Sequence, residues 1–309
     1  MTKAAPLSAR RPAQAILRGL PDLRLRPLPS QPAAAAEHAA AAPGLAATNV
    51  YSFTSADYPG AAQSLVLDTD GSTAVGAFVF DPSSTSSPIT AFTFTGGGYQ
   101  ILAVPGAASS LATGITGTGQ IIGVYSDLSG VNHGFASNGG TFSNVDFPGA
   151  TLTQAIGVND TGQIVGDYFD AASSEHGFAV AGGAFTAINF PGATSTAAAG
   201  LNNSGDIVGI WSDAAGQHGF LLSGGVYTPV DFPLATSTSA WGINDSGEIA
   251  GFYTDTAGST HGFVYSGGAF STVDVAGARS TQLTRIKNSG AITGVYTDAL
   301  TAEHGLVGQ

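Results

Sequence analysis

Residues 236–278 read TSTSAWGINDSGEIAGFYTDTAGSTHGFVYSGGAFSTVDVAGA, and residues 151–193 read TLTQAIGVNDTGQIVGDYFDAASSEHGFAVAGGAFTAINFPGA. The two stretches match over their whole length, so the chain is built from a repeat of about 43 residues, a period that marks a solenoid, a propeller or an array. Residues 107–150 and 194–235 carry the same pattern, and 61–106 is a worn copy that keeps DTDGSTAVGAFVFD and AFTFTGGGYQILAVPGA. Punctuation divides each copy into four short strands. The first ends at Asn-Asp-Thr/Ser-Gly, the second is an apolar run such as GQIVGDYFD, the third opens at His-Gly-Phe, and a Gly-Gly turn leads to a fourth that closes on Phe-Pro-Gly-Ala. Asn-Asp-x-Gly and Gly-Gly between short aromatic and β-branched runs are hairpin signals. Each copy is therefore predicted to be a four-stranded antiparallel meander. Its strands are apolar on both faces, which a sheet tolerates when both faces are covered, as in blades stacked around an axis.

The two ends of the chain predict closure. The last copy, 279–309, stops at HGLVGQ without a fourth strand, whereas residues 50–60, VYSFTSADYPG, make a fourth strand with no unit before it. The 31 residues of one and the 11 of the other make one normal repeat. An open array would leave an exposed sheet edge, which completion of the last blade by the N-terminal strand removes. The expected fold is all-β: a six-bladed β-propeller of four-stranded antiparallel blades, with repeats 61–106, 107–150, 151–193, 194–235, 236–278, and 279–309 plus 50–60. It occupies residues 49–309, behind a disordered leader at 1–48 that is rich in Ala, Pro and Arg.

Composition agrees with this class and excludes others. The 44 glycines are roughly twice the usual share, and charged residues make up only 10%, so turns dominate over solvated helix faces. Six of the nine basic residues lie in the first 26 positions; after Asp22 and Glu37 are set aside, 19 acids face only Arg279, Arg285 and Lys287, a balance of −16. A surface of that sign repels phosphate backbones and anionic headgroups, so no nucleic-acid partner is expected. The absence of cysteine removes disulfides and thiolate metal sites. No apolar run approaches the ~20 residues that span a bilayer. The Ala tract of the leader is interrupted by Glu37 and His38 and makes a poor secretory apolar segment.

The string GINDSGEIAGFYTD followed by HGF resembles the extracellular repeat family named for its His-Ala-Phe signature, with Gly in place of Ala here. The resemblance covers everything after about residue 50. It implies an exported bacterial protein, extracellular or periplasmic, and implies no uniform activity and no catalytic residues.

Repeated residues are weighed first. Five units carry an Asp before the second hairpin and a His after it: Asp127 and His133, Asp170 and His176, Asp213 and His218, Asp255 and His261, Asp298 and His304; the first unit has Thr90 at the His position. Histidines on third strands of different blades diverge and cannot converge on one ion, and one carboxylate per loop is too few for calcium. No metal site is expected, and the Asp is expected to fix its hairpin. An aromatic ring, Phe78, Tyr125, Tyr168, Trp211, Tyr253 and Tyr296, is suited either to stacking on a sugar or to filling the wedge between blades, and the wedge is preferred.

Departures from the repeat point to a unique site more sharply. Where the first strand has Gly114, Gly157, Gly200 and Gly242, the last unit has Arg285; where it has Asn159, Asn202 and Asn244, the last unit has Lys287. Gln63, Gln154 and Gln282 recur upstream on three first strands, and Trp241 replaces smaller residues. Arg285, Lys287, these polar groups, Trp241 and Asp68 form the candidate ligand site near the channel. Aligning DTDG of unit one on NDTG places Asp68 at the position of Lys287, so the two are expected to pair where the ring closes. No G-x-S-x-G, H-E-x-x-H, phosphate-binding loop or C-x-x-C occurs, so neither a recognisable catalytic motif nor a cofactor is expected. The expected function is that of a monomeric, noncatalytic exported propeller binding a glycan or protein ligand on its loop face or at the channel mouth. The alternative is a carbohydrate-active hydrolase or lyase using channel-proximal carboxylates and Arg285.

Overall fold

The computed structural model describes residues 51–55, 57–81 and 87–308; the expected leader at 1–48 lies outside them. Strand β1 is Phe53–Ser55. Unit one follows as β2 (Gln63–Thr69), β3 (Thr73–Val79), β4 (Thr90–Thr95) and β5 (Gly98–Ile101). Unit two is β6 (Ser109–Ile115), β7 (Ile121–Ser126), β8 (Asn132–Asn138) and β9 (Thr141–Asn144). Unit three is β10 (Leu152–Val158), β11 (Ile164–Phe169), β12 (Glu175–Ala181) and β13 (Ala184–Ile188). Unit four is β14 (Ser195–Leu201), β15 (Ile207–Ser212), β16 (Gln217–Ser223) and β17 (Val226–Val230), and unit five is β18 (Ser237–Ile243), β19 (Ile249–Thr254), β20 (Thr260–Ser266) and β21 (Ala269–Val273). The chain ends with β22 (Ser280–Ile286), β23 (Ile292–Thr297) and β24 (Glu303–Gly308).

Units one to five are antiparallel meanders in chain order. The strand β1 pairs antiparallel with β24, Phe53 opposite Gly308 and Ser55 opposite Leu306. A single parallel bridge, Thr260 to Ser280, also links units five and six. Among the described residues no helix is long and apolar enough to cross a membrane.

The apolar character of both strand faces is explained by where the core lies. It is divided among the seams between neighbouring units. Phe178 of unit three packs with Ile122, Ala136 and Val145 of unit two; Phe220 packs with Val165 and Ile188 across the next seam; Phe263 packs with Val208 and Val230 across the one after. The Phe of each His-Gly-Phe is fully buried and contributes about 2–3 kcal/mol relative to exposure. Where unit one meets the last strands, the cluster of Val66, Ala74, Phe78 and Phe92 takes in Tyr58 and Val307.

Each first strand carries a bulge, at Leu67, Thr113, Ile156, Ala199, Trp241 and Thr284. The glycine that follows the bulge is required by the neighbouring unit. A Cβ on Gly157 would lie 2.6 Å from the Ala199 carbonyl oxygen, and one on Gly200 would lie 2.5 Å from that of Trp241. Inner strands thus approach backbone to backbone, and the bulge carbonyls gather near the axis.

Candidate functional site

The Asn of each Asn-Asp-x-Gly turn does two jobs. Its carbonyl oxygen closes the turn on two backbone N–H groups, as Asn159 Oδ1 does with Thr161 (3.2 Å) and Gln163 (3.0 Å), the ordinary Asx geometry. Its amide then donates to the next unit's backbone: Asn159 to the Asn202 carbonyl at 2.9 Å, Asn202 to that of Asn244 at 3.3 Å, Asn244 to that of Lys287 at 3.3 Å. One residue on, the following side chains link turn to turn. Gly117 N–H donates to Asp160 (2.7 Å), Asp160 N–H to Asn203 (3.0 Å), Asn203 N–H to Asp245 (2.8 Å) and Asp245 N–H to Asn288 (2.8 Å).

Lys287 replaces the Asn amide with a charge, and its ammonium lies 2.6 Å from Asp68 Oδ1. The expected pair therefore forms, but not between equivalent positions. The unit-one turn is one residue shorter, running from Asp70 to Thr73 where the others run from Asn159 to Gln163, and it is Asp70 that closes the turn on Ser72 and Thr73. Asp68 follows the bulge and occupies the position of Gly157 and Arg285. It is only 1% exposed, so the pair is not a surface ion pair. Its Oδ2 accepts the Ile115 N–H of unit two at 3.0 Å and lies 3.9 Å from Arg285 Nε. One carboxylate thus ties the first inner strand to the last and to the second.

Gln63 requires the same correction. The Ser64 hydroxyl accepts the Tyr58 N–H just as the Thr153 hydroxyl accepts that of Phe147, so Leu65, not Gln63, is the equivalent of Gln154.

Arg285 is buried, and its guanidinium is committed to backbone. It donates to the carbonyls of Trp241 (3.3 Å), Thr284 (2.8 Å), Thr113 (3.1 Å) and Ile156. These are bulge carbonyls of units five, six, two and three. Burial pulls its pKa below the ordinary guanidinium value, and the Asp68 charge opposes that shift. Arg285 thus pins the axis and is not free to bind a substrate. Trp241, 1% exposed, lies in the apolar cluster that fills the axis with Leu65, Leu67, Leu111, Ile156 and Ala199. Gln154 is fully buried. Gln282 is half-buried and keeps an unpartnered Oε1.

The sequence-derived residues therefore divide. Asp68, Arg285 and Lys287 line a cavity of about 80 Å³ with the turn residues Asp160, Asn203, Asp245 and Asn288; Gln63, Gln154, Gln282 and Trp241 do not line it. The cavity opens where first strands turn into second strands, the end opposite the loops between units. Against the 300–1,000 Å³ of ordinary ligand pockets it is small, so it suits one polar group of a larger ligand rather than a whole one.

On the opposite, loop side three of the repeated aromatic rings are covered on both faces. Tyr168 is stacked between Phe147 (3.7 Å between centroids, 3° between planes) and His176 (5.2 Å), Trp211 between Phe190 and His218, and Tyr253 between Phe232 and His261. With both faces covered, these rings fill the wedge between units. Each hairpin Asp accepts two backbone N–H groups of its loop, as Asp255 does from Ala257 and Ser259, both at 2.8 Å. The imidazoles bridge two partners: His261 pairs Nδ1 with Asp274 (2.7 Å) and Nε2 with Asp255 (3.5 Å), and His304 pairs with Asp57 and Asp298.

These pairs predict a pH dependence. Burial disfavours the His261 imidazolium, but hydrogen bonds and charge from Asp274 and Asp255 outweigh it and raise the pKa; for His304 the Asp57 hydrogen bond leads the rise, against burial. A group raised above its unfolded value of about 6.5 contributes stability that is complete below that pH and is lost as pH climbs through the folded pKa. The melting temperature should fall between about pH 6 and 8, and fall less in a His261→Asn, His304→Asn double variant. A wild-type melting temperature that is flat or rising over that window would contradict the assignment.

Four-stranded antiparallel sheets packed in chain order with their first strands inward define a β-propeller, and solved structures share that fold. The β-propeller domain of the Trilobed protease from Pyrococcus furiosus matches with a TM-score of 0.50 at 10% identity, over 76% of this chain and 78% of that one. TolB from Acinetobacter baumannii matches with a TM-score of 0.56 at 9% identity, over 77% and 64%, and AofleA from Arthrobotrys oligospora with 0.51 at 13% identity, over 79% and 81%. At these identities the likeness concerns the fold alone. No protein-family model matches the sequence, and no curated protein matches it.

Proposed function

We propose that the chain is an exported, noncatalytic six-bladed β-propeller, closed by its N-terminal strand, that binds a glycan at the axial mouth on the Asn-Asp turn side. Closure is supported by the pairing of β1 with β24 and by the Lys287–Asp68 pair between the last inner strand and the first. Export rests on the resemblance to the His-Ala-Phe repeats.

The observation that carries the binding reading is the rim of the mouth. Asp160, Asn203, Asp245 and Asn288 come from four consecutive turns and set carboxylates and amides alternately around a cavity that also receives Lys287. Amides that donate and accept, alternating with carboxylates that accept, suit the vicinal hydroxyls of a sugar, and their repetition suits repeated units of a polymer. The alternative that relied on Arg285 loses its cation, because that guanidinium is already engaged by four carbonyls.

A glycan array run beside a broad glycosidase and lyase screen tests this reading. Retention of a glycan that is lost on Asn203→Ala, with no turnover of any substrate, is the expected result. Turnover would overturn the noncatalytic reading, and binding insensitive to Asn203→Ala would overturn the site.

A further inference from the structure

Unit three departs from the repeat at Asp167, and there alone a carboxylate at this position stands beside a Gln and a Glu, Gln154 and Glu175, whose counterparts in unit six are Gln282 and Glu303. The residue after the second-strand glycine is Ala77, Val124, Ile210, Phe252 or Val295 in the other units, and all five belong to or pack on the apolar cluster at the axis. In unit three it is Asp167, fully buried, with neither carboxylate oxygen hydrogen-bonded to another residue. Directly opposite on β10 stands Gln154, also fully buried, with neither amide atom paired. Side chains opposite each other on an antiparallel pair share a face, yet these two do not bond to each other. Glu175, half-buried at the start of β12, is close enough for its charge to act on Asp167, and it bonds to the Ser195 hydroxyl of unit four. Only unit three carries a carboxylate at both the Asp167 and the Glu175 position.

Buried charge persists in proteins by pairing, by binding a metal or by taking up a proton. Arg285 and Lys287 are engaged with Asp68 and the bulge carbonyls at the other end of the inner strands, and Arg279 is exposed in unit six. Among the described residues the one basic side chain beside the cluster is His176, which acts on Glu175 and is shared with Asn189 and Asp170. Burial and the Glu175 charge push Asp167 well above the usual carboxylate range, which is the penalty a cation would relieve.

We propose that Asp167, Glu175 and Gln154 form a binding site for a hard divalent cation of the calcium class, reached from solvent past Glu175. Two carboxylates balance its charge, the Gln154 carbonyl adds a neutral oxygen, and all donors are oxygen, the preference of such ions. Among the described residues no three His, Cys, Asp or Glu side chains gather as a metal site, so the protein supplies part of the shell and water the rest. That places the dissociation constant on the order of 10⁻⁴–10⁻³ M, the range of extracellular calcium modules.

The test is the melting temperature of the full chain, first in chelator and then in CaCl₂, MgCl₂ or NaCl matched for ionic strength. About 10 mM Ca²⁺ should raise it by about 3 °C or more over NaCl. Asp167→Asn should melt higher than wild type in chelator, because a buried charge is gone, and should lose the calcium response. Glu175→Gln should need at least about tenfold more calcium; being half-buried, it serves the comparison if Asp167→Asn does not fold. A wild type stabilised by acidification from pH 7 to 5 but indifferent to calcium would show a protonated pair and overturn the proposal. So would a calcium response that survives both variants.

Discussion

Deletion of residues 51–60 should abolish cooperative unfolding and drive the protein into aggregates. The segment is short, but it contributes at two levels. Its strand covers the edge of β24, and an uncovered edge of unpaired backbone groups is a template for intermolecular pairing. Its side chains complete two cores: Tyr51 is buried with Leu283, Ile292 and Leu306, and the Tyr58 ring stacks on Phe78 at 3.8 Å and meets Phe92 and Tyr99. Three aromatic side chains including Phe53, at about 1.5–3 kcal/mol each, compare with a whole net stability of about 5–15 kcal/mol. Dynamic light scattering and a thermal melt of the truncated chain check this. A monomeric truncation with a sharp transition would contradict it.

Arg285→Met should be the most damaging single substitution at the axis. Replacing a buried ion pair by a hydrophobic group of similar size can be neutral, so the outcome depends on what is left behind. Asp68 would keep Lys287 and the Ile115 N–H, so its charge would remain compensated. The carbonyls of Thr113, Ile156, Trp241 and Thr284 would lose their guanidinium donors. At about 1–3 kcal/mol for each buried polar group left unsatisfied, and with relaxation recovering part, the expected loss is about 3–5 kcal/mol. A chain of this size should then melt roughly 10 °C lower. Arg285→Lys should rescue only part of this, since an ammonium cannot span carbonyls contributed by four units. An Arg285→Met protein that melts within about 2 °C of wild type would remove the axial pin from the account.

The strands and their order were legible because each is bounded by turn chemistry that leaves little choice: Asn-Asp-x-Gly, the Asp-closed hairpin, and Gly-Gly. The covered state of the aromatic rings followed from the same regularity, since an element needed at every seam recurs in every unit. Registration of unit one was not legible. DTDG aligns on NDTG by its final glycine, whereas the backbone shortens that turn by one residue and passes the role of Asn159 to Asp70, and Gln63 and Asp68 shift with it. The direction of Arg285 was hidden for a related reason. The bulges of units two, three, five and six turn the carbonyls of four unlike residues, Thr113, Ile156, Trp241 and Thr284, towards its guanidinium, and no residue type announces a bulge. Asp167 was a departure from the repeat as plain as Arg285, but its meaning depends on knowing that the position faces the axial core.

Closure of the ring by the chain's own ends is the claim on which the seam, the pin and the mouth depend. It can be tested in a chain without cysteine by introducing two, Asp57→Cys and His304→Cys, at side chains that meet at 3.3 Å. A short bismaleimide should link them within one molecule, giving a cross-linked monomer whose melting temperature rises. Failure to link, or links only between molecules, would contradict closure.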